Sequence, residues 1–166
     1  MVLGMSLHAF TILHVVISVV ELLAGIGVAL EFLAGRRSGL TGLFLLTAAL
    51  TTITGFLFPF HGVTPGIVLG IVSLPFLLLA AVGLYGGHLR GAWRAIYVLC
   101  ALILLYLDAF VAVAQSFMKI SVLHALAPTG KEPPFPIAQG VVLLIFIVVG
   151  FLALKRFRPA AVVQAG

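Results

Sequence analysis

The chain is short of charge. Only 8% of its 166 residues are charged and only four are acidic, against about 25% charged residues in an ordinary soluble domain. That shortage leaves too little polar surface for life in water. Cysteine is almost absent: Cys100 stands alone inside an apolar run, which excludes an internal disulfide and a cysteine-based metal cluster. A buried, inert thiol is the expected reading. Polar stretches long enough for a separate soluble domain are missing, as is any internal repeat. There is no serine elbow, no phosphate-binding loop, no paired-aspartate lipid-transferase motif and no cysteine with a partner base. An enzyme acting on a lipid or quinone through Glu21, Asp108 and His14 is the one catalytic reading left, and the balance is against it.

Apolar length is present in abundance. Hydrophobic residues make up 63% of the chain and the mean hydropathy is +1.35. Crossing a hydrocarbon core takes about 20 helical residues. Five runs qualify, from Met5 to Ala34, Leu40 to Phe58, Pro65 to Gly86, Trp93 to Leu123 and Pro136 to Leu154. The predicted fold is all-α, a polytopic transmembrane helical bundle with one domain over residues 1–166 and five spans. No lysine or arginine precedes the first run, which is longer than the apolar core of a signal peptide, so it is expected to stay as a span.

Base counting orients the bundle. With alternating spans, Arg36, Arg37, Arg90, Arg94, Lys155, Arg156 and Arg158 share one side and only Lys119 and Lys131 the other. The excess predicts an external N-terminus and a cytoplasmic C-terminus. The net charge of +5 follows from this flank bias, so no nucleic-acid partner is expected. Gly35 and Gly39 bracket the first turn, Pro59 and Pro65 the second, and Pro133, Pro134 and Pro136 stiffen the entry to the last span. Pro75 is expected to kink the third span. Gly66 with Gly70, and Gly83 with Gly87, offer close-packing surfaces.

Against this background the buried polar groups carry the information. A carboxylate at the bilayer centre costs about 2.5–3.5 kcal/mol even on lenient insertion scales. Glu21 and Asp108 each fall about 15 Å from the basic edge by helical rise, near the midplane. On span one, Thr11, His14, Ser18, Glu21 and Gly25 share a face by their spacings of three and four, opposite Ile12, Val16, Val19 and Leu23. Thr47, Thr51, Thr54, Phe58 and His61 do so on span two. Tyr97, Ala101, Asp108, Ala112, Gln115 and Lys119 do so on span four. Three polar stripes in one small bundle should face each other, since lipid would leave them unsatisfied.

The expected site is a polar pocket open to the exterior, with carboxylates at its floor. Its residues are Glu21, Asp108, His14, Ser18, Thr51, Thr54, His61, Gln115, Lys119 and Gln139. The cytoplasmic half has little polar lining beyond Thr47 and Tyr97, which speaks against a through-pore. If Glu21 and Asp108 approach each other, both cannot be ionised at once in a low dielectric. Such a pair can relay a proton, bind a cation, or glue helices through neutral hydrogen bonds. His14 and His61 at one depth raise the possibility of a metal or an axial haem ligand, though no HxxxH or HExxH spacing supports it, and neither cofactor nor metal is assigned. Lys119 either neutralises an anionic ligand or snorkels to headgroups. Phe56, Phe58, Phe60, Trp93 and Tyr97 are read as an aromatic belt.

Three segments carry a resemblance: Gly55 to Gly66 (GFLFPFHGVTPG), Tyr106 to Phe117 (YLDAFVAVAQSF) and Leu126 to Gln139 (LAPTGKEPPFPIAQ). They resemble small inner-membrane proteins of proteobacteria with no assigned activity. The resemblance implies a bacterial inner-membrane address and no mechanism. It also implies asparagine at the position of Asp108 in relatives, so that hydrogen bonding there matters more than charge. The function expected from these readings is a non-enzymatic accessory, assembly or small-ligand-binding module. The alternatives are a small oligomeric transporter or proton-linked channel, and a haem- or quinone-binding protein. The lipid bilayer is the expected partner, with a membrane complex or a second copy of the chain beside it.

Overall fold

The computed structural model describes residues 2–37, 39–59, 62 and 64–158. Six α-helices account for most of them, and no strand occurs among the described residues. Helix α1 (Leu7–Leu33) starts where the Ser6 hydroxyl accepts the Ala9 N–H at 3.2 Å. It ends ahead of Gly35, whose φ of +71° suits glycine and where a Cβ would also stand 3.1 Å from the Arg156 carbonyl. Helix α2 (Leu40–Phe56) follows. Helix α3 (Pro65–Ala81) opens with Pro65 in its first turn and Thr64 accepting the Ile67 N–H at 3.3 Å. It runs through Pro75 and widens into a π turn over Val82–Gly86, closed by Gly87 N–H donating to Val82 at 2.7 Å. Helix α4 (Ala92–Lys119), the short α5 (Ser121–Leu126) and α6 (Pro134–Arg156) complete the chain.

Four helices are long and apolar enough to cross a membrane: α1, α3 with its π turn, α4 and α6. This makes the chain a multi-pass membrane protein. Helix α2 has 17 residues, about 25 Å of rise, and is shorter than the other four. The fourth predicted span was drawn to Leu123; the helix stops at Lys119 because Ile120 adopts an extended conformation (φ −91°, ψ 115°) and the chain restarts as α5. The bland face of α1 behaves as expected, with Ile12, Val16 and Leu23 more than half exposed on the outside of the bundle.

Helix α4 is the hub, packing on α1, α3, α5 and α6. Helices α1, α2, α3 and α4 close a ring through successive contacts, and α6 lies outside it against α4 and α1. In lipid there is no hydrophobic driving force between helices, so close packing must hold them. Small residues provide it. A Cβ on Gly25 would fall 2.5 Å from Leu105 Cδ1 and 2.8 Å from Phe44 Cε2, so α1 meets α4 and α2 there at minimum separation. Gly83 and Gly87 take Trp93, so that predicted pair forms a packing surface; of the other pair Gly70 takes the Phe56 ring, while Gly66 meets only the neighbouring Thr64.

The core gathers at one end of the bundle. Val28, Phe32, Phe44, Tyr97, Val98, Leu102, Leu105, Ala153 and Phe157 form one buried cluster. The Tyr97 hydroxyl donates to Thr41 Oγ1 at 3.3 Å. This end also carries the bases, and they cap helices. Arg94 donates to the carbonyls of Leu154 (3.0 Å) and Phe157 (2.6 Å), and Arg156 to that of Leu33 (3.5 Å). Cationic donors thus satisfy carbonyls that the ends of α6 and α1 leave without intrahelical partners. Tyr97, only 1% exposed, belongs to this core and not to an aromatic belt.

Candidate functional site: a polar cavity between four helices

Beyond Gly25 and Leu105 the ring opens, away from the basic end. A cavity of about 260 Å³ lies between α1, α2, α3 and α4. Its polar lining is His14, Ser18 and Glu21 from α1, Thr51 and Thr52 from α2, Thr64 and Ser73 from the α3 side, and Asp108 from α4. Phe56, Phe58, Ile67, Leu104, Leu107 and Val111 are among its apolar walls. Residues from the polar stripes of spans one, two and four line it together, and the two carboxyls share this one cavity.

Glu21 is 4% exposed. Its Oε2 atom, Asp108 Oδ2 and Thr51 Oγ1 are buried without a hydrogen-bond partner. Thr51 lies close to the Glu21 carboxylate, yet no complete hydrogen bond joins them. By contrast Glu132, outside the helices, is fully engaged: it accepts from the Thr129 hydroxyl at 2.9 Å and from the amides of Thr129 and Lys131. Its own amide foremost, then Thr129 and Lys131, hold that carboxyl below the usual range. The acids among the spans are therefore the ones left wanting a partner.

His14 is fixed by its neighbours. Its Nδ1 lies 2.7 Å from Thr54 Oγ1, and Thr54 is in turn 2.7 Å from the Leu50 carbonyl. A hydroxyl has one proton: either the Leu50 carbonyl takes it and Nδ1–H donates to Thr54, or Thr54 donates to Nδ1, and the imidazole tautomer decides between them. The Phe58 ring stands edge-on to the imidazole at 5.3 Å. The hydroxyls of Ser18 and Ser73 donate to the carbonyls of His14 (3.0 Å) and Leu69 (2.8 Å), within their own helices.

A second space, a groove of about 570 Å³ between α1 and α4, adjoins the first. His14, Ser18, Phe58, Asp108 and Val111 line both. Gln115 and Lys119 line only the groove, with Thr11 and the exposed Val15 and Val19. Glu21 lines only the inner cavity.

Placement of the predicted site residues is therefore uneven. Glu21, Asp108, His14, Ser18 and Thr51 meet in the cavity. Thr54 is buried and holds His14 from behind. Gln115 and Lys119 stand in the groove. Gln139 is apart: it sits on α6, outside the ring, and donates to the Phe110 carbonyl at 3.0 Å, bracing α6 on α4. His61 and Phe60 lie outside the described residues. Ser73 and Thr64 were not anticipated. A lone serine between Gly70 and Pro75 was the available signal, since a polar residue in so apolar a helix needs an inward face. Phe56 and Phe58 line the site instead of forming a belt.

Among the described residues no group of three or more His, Cys, Asp or Glu side chains is placed to hold a metal ion. No family model, no curated protein and no solved structure matches the chain.

Proposed function

We propose that this protein is a small-ligand-binding module of the bacterial inner membrane, taking its ligand into the four-helix cavity from the periplasmic side. The observation that carries the reading is the state of Glu21: almost fully buried, facing an open cavity, with one oxygen lacking a partner. Burying an unsatisfied carboxyl costs stability, and a bound ligand removes that cost. The base asymmetry supports an N-terminus outside and a cytoplasmic C-terminus, with α2 as a fifth, short crossing. The dense core at the basic end supports binding over passage, because a conduit would have to run through Phe44, Leu105 and Tyr97.

Native mass spectrometry of gently extracted protein tests this. A small-molecule adduct on the chain is expected, and it should vanish in Ser73→Phe, whose ring occupies the cavity. A bare chain in the wild type, or an adduct indifferent to Ser73→Phe, would count against the reading.

A further inference from the structure

We infer that the inner cavity is built for a small organic cation bearing N–H donors, such as an alkylammonium or amidinium group, seated with its charge toward Glu21. The inference rests on the ligand-binding reading and adds the chemical class.

Hydrogen-bond complementarity carries the argument. Count what the lining still offers. His14 Nδ1 is engaged with Thr54, which leaves Nε2 as the ring nitrogen open to a ligand. Ser18 and Ser73 have given their protons to backbone carbonyls and keep lone pairs only. Glu21 Oε2 and Asp108 Oδ2 are buried acceptors without partners. Among the described lining residues there is no lysine, arginine or side-chain amide to bring a positive charge, and the Thr51 hydroxyl is a buried donor without a partner. Lys119 belongs to the groove, is exposed, and stands eleven residues beyond Asp108, about 16 Å by helical rise.

An anion would find no charged donor here and would face two carboxyls. A purely apolar ligand would leave every buried acceptor unpaired. An ammonium brings up to three donors and the opposite charge, and its hydrogen bonds to a carboxylate are the strong, charge-assisted kind. The remaining walls suit its hydrocarbon part: Phe56, Phe58, Leu104, Leu107 and Val111 surround the polar floor. Phenyl faces also favour a nearby cation. At about 260 Å³ the cavity fits a molecule of a few heavy atoms, below the size of drug-like sites.

The two carboxyls then differ in duty. Asp108 lines both spaces and meets a ligand arriving along the groove. Glu21 is reached last and is the more buried, so it anchors. Glu21→Gln should therefore lose more affinity than Asp108→Asn.

The experiment is a melting-temperature titration of the purified full chain in lipid nanodiscs. The probes are n-butylammonium, its neutral counterpart 1-butanol, and tetramethylammonium, which is charged but has no N–H. Butylammonium should raise Tm saturably, with an apparent Kd at least tenfold weaker in Glu21→Gln and less affected in Asp108→Asn. Folding of the variants is read from the unliganded Tm and helical circular dichroism. If the Glu21→Gln chain does not fold, Ser73→Phe provides the blocked cavity and should abolish the shift. Equal stabilisation by 1-butanol would overturn the cationic assignment while leaving a ligand site in place. Equal stabilisation by tetramethylammonium would overturn the N–H requirement. A butylammonium shift unchanged by Glu21→Gln and Ser73→Phe would overturn the site itself. No shift with any probe, together with a native adduct, would overturn the class; no shift and no adduct would overturn the binding reading as well.

Discussion

His14 and Thr54 join α1 to α2 through a 2.7 Å hydrogen bond between Nδ1 and Oγ1. This contact decides which face of the imidazole the cavity sees. Thr54→Val keeps the shape and removes the hydroxyl. Interhelical hydrogen bonds in membranes contribute about 0.6 kcal/mol on average, so the stability loss should be of that order. The sharper signature is spectroscopic. Nitrogen shifts of the His14 ring should report a single tautomer in the wild type and a mixture in Thr54→Val. A mixture already present in the wild type would contradict the assignment.

Gly25 sets the level at which the bundle closes. Any side chain there meets Leu105 and the Phe44 ring at under 3.0 Å. Gly25→Val should cost about 1–3 kcal/mol by overpacking, read from the shift of a denaturation midpoint in detergent. A variant as stable as the wild type would show that α1 and α4 are not pressed together at this point.

Arg94 was read from the sequence as a topology signal, and the structure gives it a second duty. It closes the end of α6 by donating to Leu154 and Phe157. Hydrogen bonds from charged groups contribute about 1.5–3 kcal/mol, so Arg94→Gln should lower stability by that order and raise amide exchange in the last turn of α6. Unchanged exchange there would remove the capping role.

Acidification should loosen the loop ahead of α6. The Glu132 carboxyl is held below the usual carboxylate range by the amides and hydroxyl around it. A lowered folded-state pKa means the contribution is fully present above the ordinary carboxylate value. It is lost as pH falls through the lowered one. Protection of the Thr129 and Lys131 amides, taken as intrinsic over observed exchange rate, should therefore fall on acidification in the wild type. In Glu132→Gln protection should be low and insensitive to pH across the same range. Matching pH profiles would contradict the loop's dependence on that carboxylate.

Helical periodicity made much of this legible. Spacings of three and four placed His14, Ser18 and Glu21 on one face, and lipid's inability to satisfy them required the faces to meet. Apolar length found each long helix to within a few residues. Other features depend on partners that a sequence does not display. Gln139 has the right depth for the cavity but sits on a helix that packs outside the ring, so depth without helix order misled. Phe56 and Phe58 lie near a helix end, where an aromatic belt is the usual expectation, and only the seat against Gly70 and the edge contact with His14 turn them inward. The break at Ile120 has no proline or glycine beside it to announce it. The Ser73 wall contribution was hidden because one serine makes no stripe.

The central claim is a cavity that is reachable from one side of the membrane only. Single cysteines in a Cys100→Ser background test it, with a small membrane-impermeant thiol reagent added to either side of sealed vesicles. Ser18→Cys, in the cavity, should label from the side away from the basic helix ends alone, and Ala101→Cys, in the packed core beside Tyr97, from neither. Labelling of Ser18→Cys from the basic side, or of Ala101→Cys from any side, would contradict the account.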